Sequence, residues 1–246
     1  MTGKKIISIE LVKLLRPGNY ILLSLFLLLY TGGFITSFYL FKKNEDDFSI
    51  DDLINRLSSM EAGLIGFFMV IFVIMNIGKE YSEKTLRKNI IDGYTRDQFF
   101  IGKLLLLLIF IIAAFIFGKL TLLLGGLALD NLQNTIALFT PPFLINSFID
   151  ILYSGIFALF LIYLTRDITI SIVIYFVWRA IEGLIIGIQQ FFEGLIGIEQ
   201  FMPLASINIV LTTTEIINFQ SIIITTLYIL IMLSIPYYLF LKRDIK

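Results

Sequence analysis

Four ionisable residues stand inside long apolar runs: Lys119, Asp150, Arg179 and Glu182. The chemistry open to them is narrow. The chain has no Cys and no His, so disulfides, thiol nucleophiles, the common imidazole base and most transition-metal sites are excluded. A pair of Asp residues, or Ser activated by Lys, is what remains for catalysis. Asp150 is the one Asp in these runs, and Lys119 has no Ser near it in sequence. An intramembrane enzyme therefore ranks last.

A charge near the centre of a helix in lipid costs about 2.5–3.5 kcal/mol, so these groups should pair or face water. At 1.5 Å per residue, Lys119 lies about 7 Å and Asp150 about 5 Å to the same side of their runs' centres. The matching depth allows an ion pair between them. Arg179 and Glu182 are spaced i,i+3 and can pair on one helix. These charges either line a translocation route or its outer gate, or lock the bundle. Gly183 and Gly187 form a G-x-x-x-G pattern, which permits close approach of another helix. Tyr175 and Trp178 beside it suit either core packing or stacking on a ligand.

The elements that hold these residues follow from composition. Of 246 residues 58% are hydrophobic and 15% charged, against roughly 25% charged in soluble domains. Mean hydropathy is +0.91. So much apolar surface calls for lipid as solvent, and the length fits one domain. A crossing needs about 20 apolar residues. Six runs qualify: 20–41, 61–77, 104–124, 143–164, 168–188 and 221–240. They are continuous rather than alternating, so they are expected as helices, and the second should begin a few residues early, within the short helix that precedes it. The first is too long for a cleaved signal peptide. The fold class is all-α integral membrane, a single transmembrane domain over 1–246.

Lys and Arg set the orientation. One side carries fourteen, from Lys4 and Lys5 to Lys246, and the other three, Lys42, Lys43 and Arg56. This places both termini in the cytoplasm. Residues 1–18 contain an amphipathic pattern, with Ile7, Leu11, Leu14 and Leu15 on one face, expected to lie along the inner membrane surface. Pro17-Gly18 should end it and Asn19 cap the first span. The loop after that span is acidic. Its Asp46, Asp47, Asp51 and Asp52 lack the ligand order of a calcium loop and suit a solvated surface. Ser49 with Asp52 opens a short outer helix with Ile50, Leu53, Ile54 and Leu57 on one face. Residues 189–220 are long for a loop, apolar, and broken by Gly194, Gly197 and Pro203, as expected of re-entrant outer helices.

One segment departs from all this. GKEYSEKTLRKNIIDGYTRDQFFIGK, Gly78 to Lys103, holds ten charged residues between two apolar runs. Glu80–Lys84 and Glu83–Arg87 are i,i+4 pairs in the favourable order. Gly93 is a helix stop, and Thr95 with Gln98 forms a capping box before Phe99 and Phe100. The pattern encodes helix, tight turn, helix. A loop that only fixed topology or touched anionic lipid would need the positive charge alone.

Glu80-Tyr81, then Thr85-Leu86-Arg87, Gly93-x-Thr95-Arg96, Phe100 and Lys103 resemble the cytoplasmic loop of type 2 ATP-binding-cassette exporter permeases. There the loop lies between the second and third of six spans and carries a short coupling helix that docks on the ATPase subunit. This chain has Thr95 where the family usually has Ser, and Lys84 where it often has a small residue. The six-span plan, the amphipathic start and the broken last outer segment extend the resemblance along nearly the whole chain. It implies ATPase coupling by Glu80, Tyr81, Thr85, Leu86, Arg87, Gly93, Thr95 and Arg96, with 79–98 as the coupling loop. It also implies an ABC ATPase subunit and a second permease chain, identical or not, as partners, and a fifth span near the dimer interface and the substrate route. The setting would be the plasma (inner) membrane of a bacterium.

The chain carries no phosphate loop of its own: Gly102-Lys103 and Gly118-Lys119 are each followed by Leu rather than Ser or Thr. ATP and Mg are thus expected on a separate ATPase chain, with no cofactor, no catalysis and no nucleic-acid partner here. A competing expectation is a non-transporting membrane scaffold or immunity-type protein that recruits a cytoplasmic partner.

Overall fold

Each long apolar run is a helix: α1 (Pro17–Lys43), α2 (Ile50–Ser82), α3 (Arg96–Ala128), α4 (Pro141–Thr165), α5 (Ile168–Phe191) and α6 (Phe219–Lys242). Within lipid a helix satisfies its backbone inside one segment, which an isolated strand cannot do. All six are long and apolar enough to cross a membrane, as in a multi-pass membrane protein. The computed structural model describes residues 17–43, 50–83, 95–128, 133, 136, 139–191 and 219–242. The expected amphipathic helix, the acidic stretch 44–49, the positions Thr85, Leu86, Arg87 and Gly93, and most of the broken outer segment lie outside the described residues.

One local expectation is met and one changes. The second span begins within the short outer helix, as expected, and the two are one helix, α2, of 33 residues. Residues 57–62 contain no Gly or Pro and include Leu57, Met60, Glu61 and Ala62, all good helix formers. Asn19 is not a cap. The helix already begins at Pro17, whose fixed φ suits a first turn. The Asn19 Nδ2 instead donates to Asn76 Oδ1 of α2 at 2.8 Å.

Helices α1, α3 and α5 begin, and α2, α4 and α6 end, at one end of the bundle. Lys79, Arg96, Lys103, Arg166 and Lys242 lie there, and it is termed the basic end below. Helix α4 is the hub. It packs most extensively on α2 and also on α6, α3 and α5. Tyr153, Ala158, Leu159 and Ile162 on it are completely buried. Two glycines bring the backbones close. A side chain at Gly155 would meet Leu107 and Ile111 of α3, and one at Gly66 would meet Ser154 and Asp150 of α4. Helices α1, α5 and α6 turn large side chains outward, among them Leu28, Ile35, Leu184 and Tyr238. Such faces suit lipid or another membrane protein.

Candidate functional site

The charged segment enters the described structure from both sides. Glu80 and Tyr81 continue α2 through its last turn. Thr95 opens α3 as the sequence pattern predicts. The Gln98 backbone N–H donates to Thr95 Oγ1 at 3.2 Å, and the Thr95 N–H donates to Gln98 Oε1 at 3.3 Å. The two ends are then fastened together. Lys103 Nζ donates to Glu80 Oε1 at 2.7 Å, with only 3% and 2% of the two side chains exposed. The Phe99 ring lies 5.2 Å from the same ammonium.

The first turn of α3 also holds the last turn of α6. Arg96 Nη1 donates to the carbonyl oxygens of Phe240 and Leu241, two of the groups a helix C-terminus leaves without an intrahelical donor. The Tyr237 hydroxyl donates to Asp97 Oδ1 at 2.8 Å. Phe99 stacks on Phe240 at 5.7 Å, while Phe100 and Phe240 each meet the buried Tyr163 ring of α4 at 5.3 Å. Aromatic contacts of this kind contribute about 0.5–1.5 kcal/mol each beyond their buried area.

Arg166 completes this end, and nothing in the local sequence marks it. It is the one non-glycine residue with positive φ among the described residues, at 58°. A left-handed backbone costs an ordinary residue about 1–2 kcal/mol. The turn is held by several bonds. The Arg166 N–H donates to the Ile162 carbonyl at 2.9 Å. Asp167 Oδ1 accepts from the Ile170 N–H at 2.8 Å, and the Thr165 and Ser171 hydroxyls lie 2.6 Å apart. The turn places the Arg166 guanidinium 5.8 Å from the centre of the Tyr81 ring. Four helices, α2, α3, α4 and α6, are thereby joined at the basic end.

The polar groups deeper in the bundle are arranged differently. Among the described residues, the ion pairs are Lys103–Glu80 and Arg179–Glu182. Lys119 does not pair with Asp150. Its Nζ donates to Ser147 Oγ at 3.0 Å, and the Phe143 ring centre lies 4.2 Å away. Depth matching was right to within one helical turn, since Ser147 precedes Asp150 by three residues on α4, but the rotation of the two helices selects the serine. This is also the Ser–Lys contact that sequence separation hid. The Ser147 hydroxyl donates to the Phe143 carbonyl at 2.7 Å, so its proton is turned away from Lys119. The hydroxyl lone pair and the ring face are partners for an ammonium, not for a base that takes the serine proton.

Asp150 is buried beside Gly66 and feels the charges of Arg179 and Glu182. No hydrogen bond or ion pair joins it to a described residue. Arg179 Nη1 donates to Glu182 Oε2 at 3.2 Å, the expected i,i+3 pair. The other carboxylate oxygen accepts from Trp178 Nε1 at 2.8 Å. Glu182 is buried, whereas 38% of the Arg179 side chain is exposed. Tyr175 and Trp178 pack on Phe157 of α4 at 6.3 and 6.2 Å. Among the described residues outside its own turn of helix, nothing lies within 4 Å of where a side chain at Gly183 would begin. Gly187 lies on the same helix, α5.

No protein-family model matches this sequence, and no curated protein matches it.

Proposed function

We propose that the chain is the membrane subunit of an ATP-binding-cassette exporter. The basic end is cytoplasmic, and residues 79–98 receive motion from a separate ATPase chain that holds ATP and Mg. The clamp at the basic end is the observation that carries this reading. A loop that merely connects two spans needs no buried ion pair at its base, no reciprocal cap and no arginine clasp on a third helix. A loop that passes on force needs a base that does not yield. Glu80 with Lys103, and Thr95 with Arg96, supply that base. Thr85, Leu86, Arg87 and Gly93 lie on the connecting segment, where the motor would dock. The excess of Lys and Arg on this side, fourteen against three, supports its cytoplasmic placement. Work would reach the substrate route between two permease chains, with Arg179 and Glu182 near the α5 face.

The test is co-purification with an ATPase chain, followed by nucleotide hydrolysis by the complex. Arg87→Ala and Gly93→Leu are expected to lower hydrolysis coupled to the permease roughly fivefold or more, the usual range for energetic coupling between sites. Both variants should still insert and melt like the parent. Unchanged coupled hydrolysis in both, or the failure of any nucleotide-binding chain to associate, overturns the proposal.

A further inference from the structure

A cleft of about 450 Å³ opens between α1 and α3 above α2. Its lining includes Leu23, Phe68, Phe72, Phe110, Ala113 and Ala114, and Asn19 closes it toward the basic end. Stacking of Phe26 on Phe68, with ring centres 4.1 Å apart, and of Phe110 edge-on against Phe72 at 4.5 Å builds its walls. Two consecutive alanines leave the α3 side hollow. From Asn19 to Leu27 it follows α1 for about 12 Å. It is nearly free of polar groups, the chemistry of a hydrocarbon chain.

A charge lies beside the cleft, one residue before Asn19 and outside its lining. The Lys79 ammonium lies over the first turn of α1, so close that a side chain at Gly18 would place its first carbon 2.7 Å from Nζ. No hydrogen bond or ion pair involves this ammonium among the described residues. A lysine in the last turn of a helix ordinarily extends toward water. This one bends across to Gly18 of α1. Tyr20, half-exposed at the same level, is the type of residue that sits at a lipid headgroup boundary.

We infer that this cleft is a site for an anionic phospholipid, with one acyl chain along α1 and α3 and the phosphate against Lys79 at the first turn of α1. Gly18 is the position that leaves room for the ammonium. The inference uses the membrane-crossing character of the six helices and not the ATPase reading, so the permease alone can test it.

The purified chain in neutral detergent is titrated with phosphatidylglycerol or phosphatidylcholine of identical acyl chains, and bound lipid is counted by native mass spectrometry. The parent is expected to prefer phosphatidylglycerol about fivefold, the advantage that one lysine supplies at an anionic headgroup. Lys79→Gln should bring the ratio near one while phosphatidylcholine binding stays the same. Lys242→Gln, at the same end but outside the cleft, should keep the preference. Ala114→Phe should fill the cleft and lower retention of both lipids. Equal retention of the two lipids by the parent overturns the site, as does a preference that survives Lys79→Gln. Loss of preference in Lys242→Gln to the same degree would mean general surface attraction and overturns it equally.

Discussion

The basic end and the membrane interior solve the problem of buried charge in opposite ways. At the basic end three charged groups reach another helix: Glu80 to Lys103, Arg96 to the end of α6, Arg166 over Tyr81. Deeper in the bundle the partners are mostly near at hand. Glu182 is held by Arg179 and Trp178 of its own helix, Lys119 by a hydroxyl and aromatic rings, and Asp150 by no described hydrogen bond. The first pattern fixes helices relative to one another. The second keeps the described ion pair of the interior within α5, while Lys119 reaches α4 only through a hydroxyl and a ring. A protein that relays motion from one end needs both, a base that holds and an interior that can rearrange.

The sharpest way to break this contrast is at Glu80. Glu80→Ala removes the buried carboxylate that Lys103 holds at 2.7 Å, which should destabilise the fold by about 3–5 kcal/mol. Thermal denaturation in detergent, followed by circular dichroism, measures this. Adding Lys103→Met should recover a large part of the loss, because an apolar side chain of similar length removes the charge along with its carboxylate. A single variant that melts like the parent would mean that the clamp is not what holds α2 to α3.

A smaller effect is expected at Glu182. The ion pair with a 38% exposed Arg179 contributes about 1 kcal/mol or less, so Glu182→Ala should hardly move the melting temperature. Its signature is optical. Trp178 is the only tryptophan of the chain, and its indole N–H donates to Glu182. Loss of that acceptor should shift the fluorescence emission, and Glu182→Gln, which keeps a side-chain oxygen, should restore it. An unchanged spectrum in the alanine variant would remove the local-partner account of this charge.

What the sequence disclosed follows the range of each physical signal. The helices were legible because the length and continuity of an apolar run are local properties, and the Thr95–Gln98 cap because its partners are three residues apart. The Arg179–Glu182 pair was legible for the same reason. The fused α2 was legible too, because no breaker separates the short outer helix from the span that begins within it. Glu80–Lys103 was named only as members of a motif. Their contact spans 23 residues and depends on how α2 and α3 pack, as does the Arg96 clasp, which reaches 144 residues along the chain. The αL turn at Arg166 was invisible, because Gly is the usual marker for that conformation.

Lys119 gives the finest test of the contrast, because sequence and structure assign it different partners. Rise along a helix fixes depth, whereas each residue also turns the side chain by about 100°. Depth alone therefore cannot separate Asp150 from Ser147, which lie within one turn on α4. If the hydroxyl is the partner, Lys119→Ala and Asp150→Ala should be additive to within about 0.5 kcal/mol, as for groups that share no contact. Lys119→Ala and Ser147→Ala should depart from additivity by more than that. Melting of the single and double variants in one detergent decides it. Clear coupling of Lys119 to Asp150, without coupling to Ser147, would restore a cross-helix ion pair to the interior and erase the difference between the two regions.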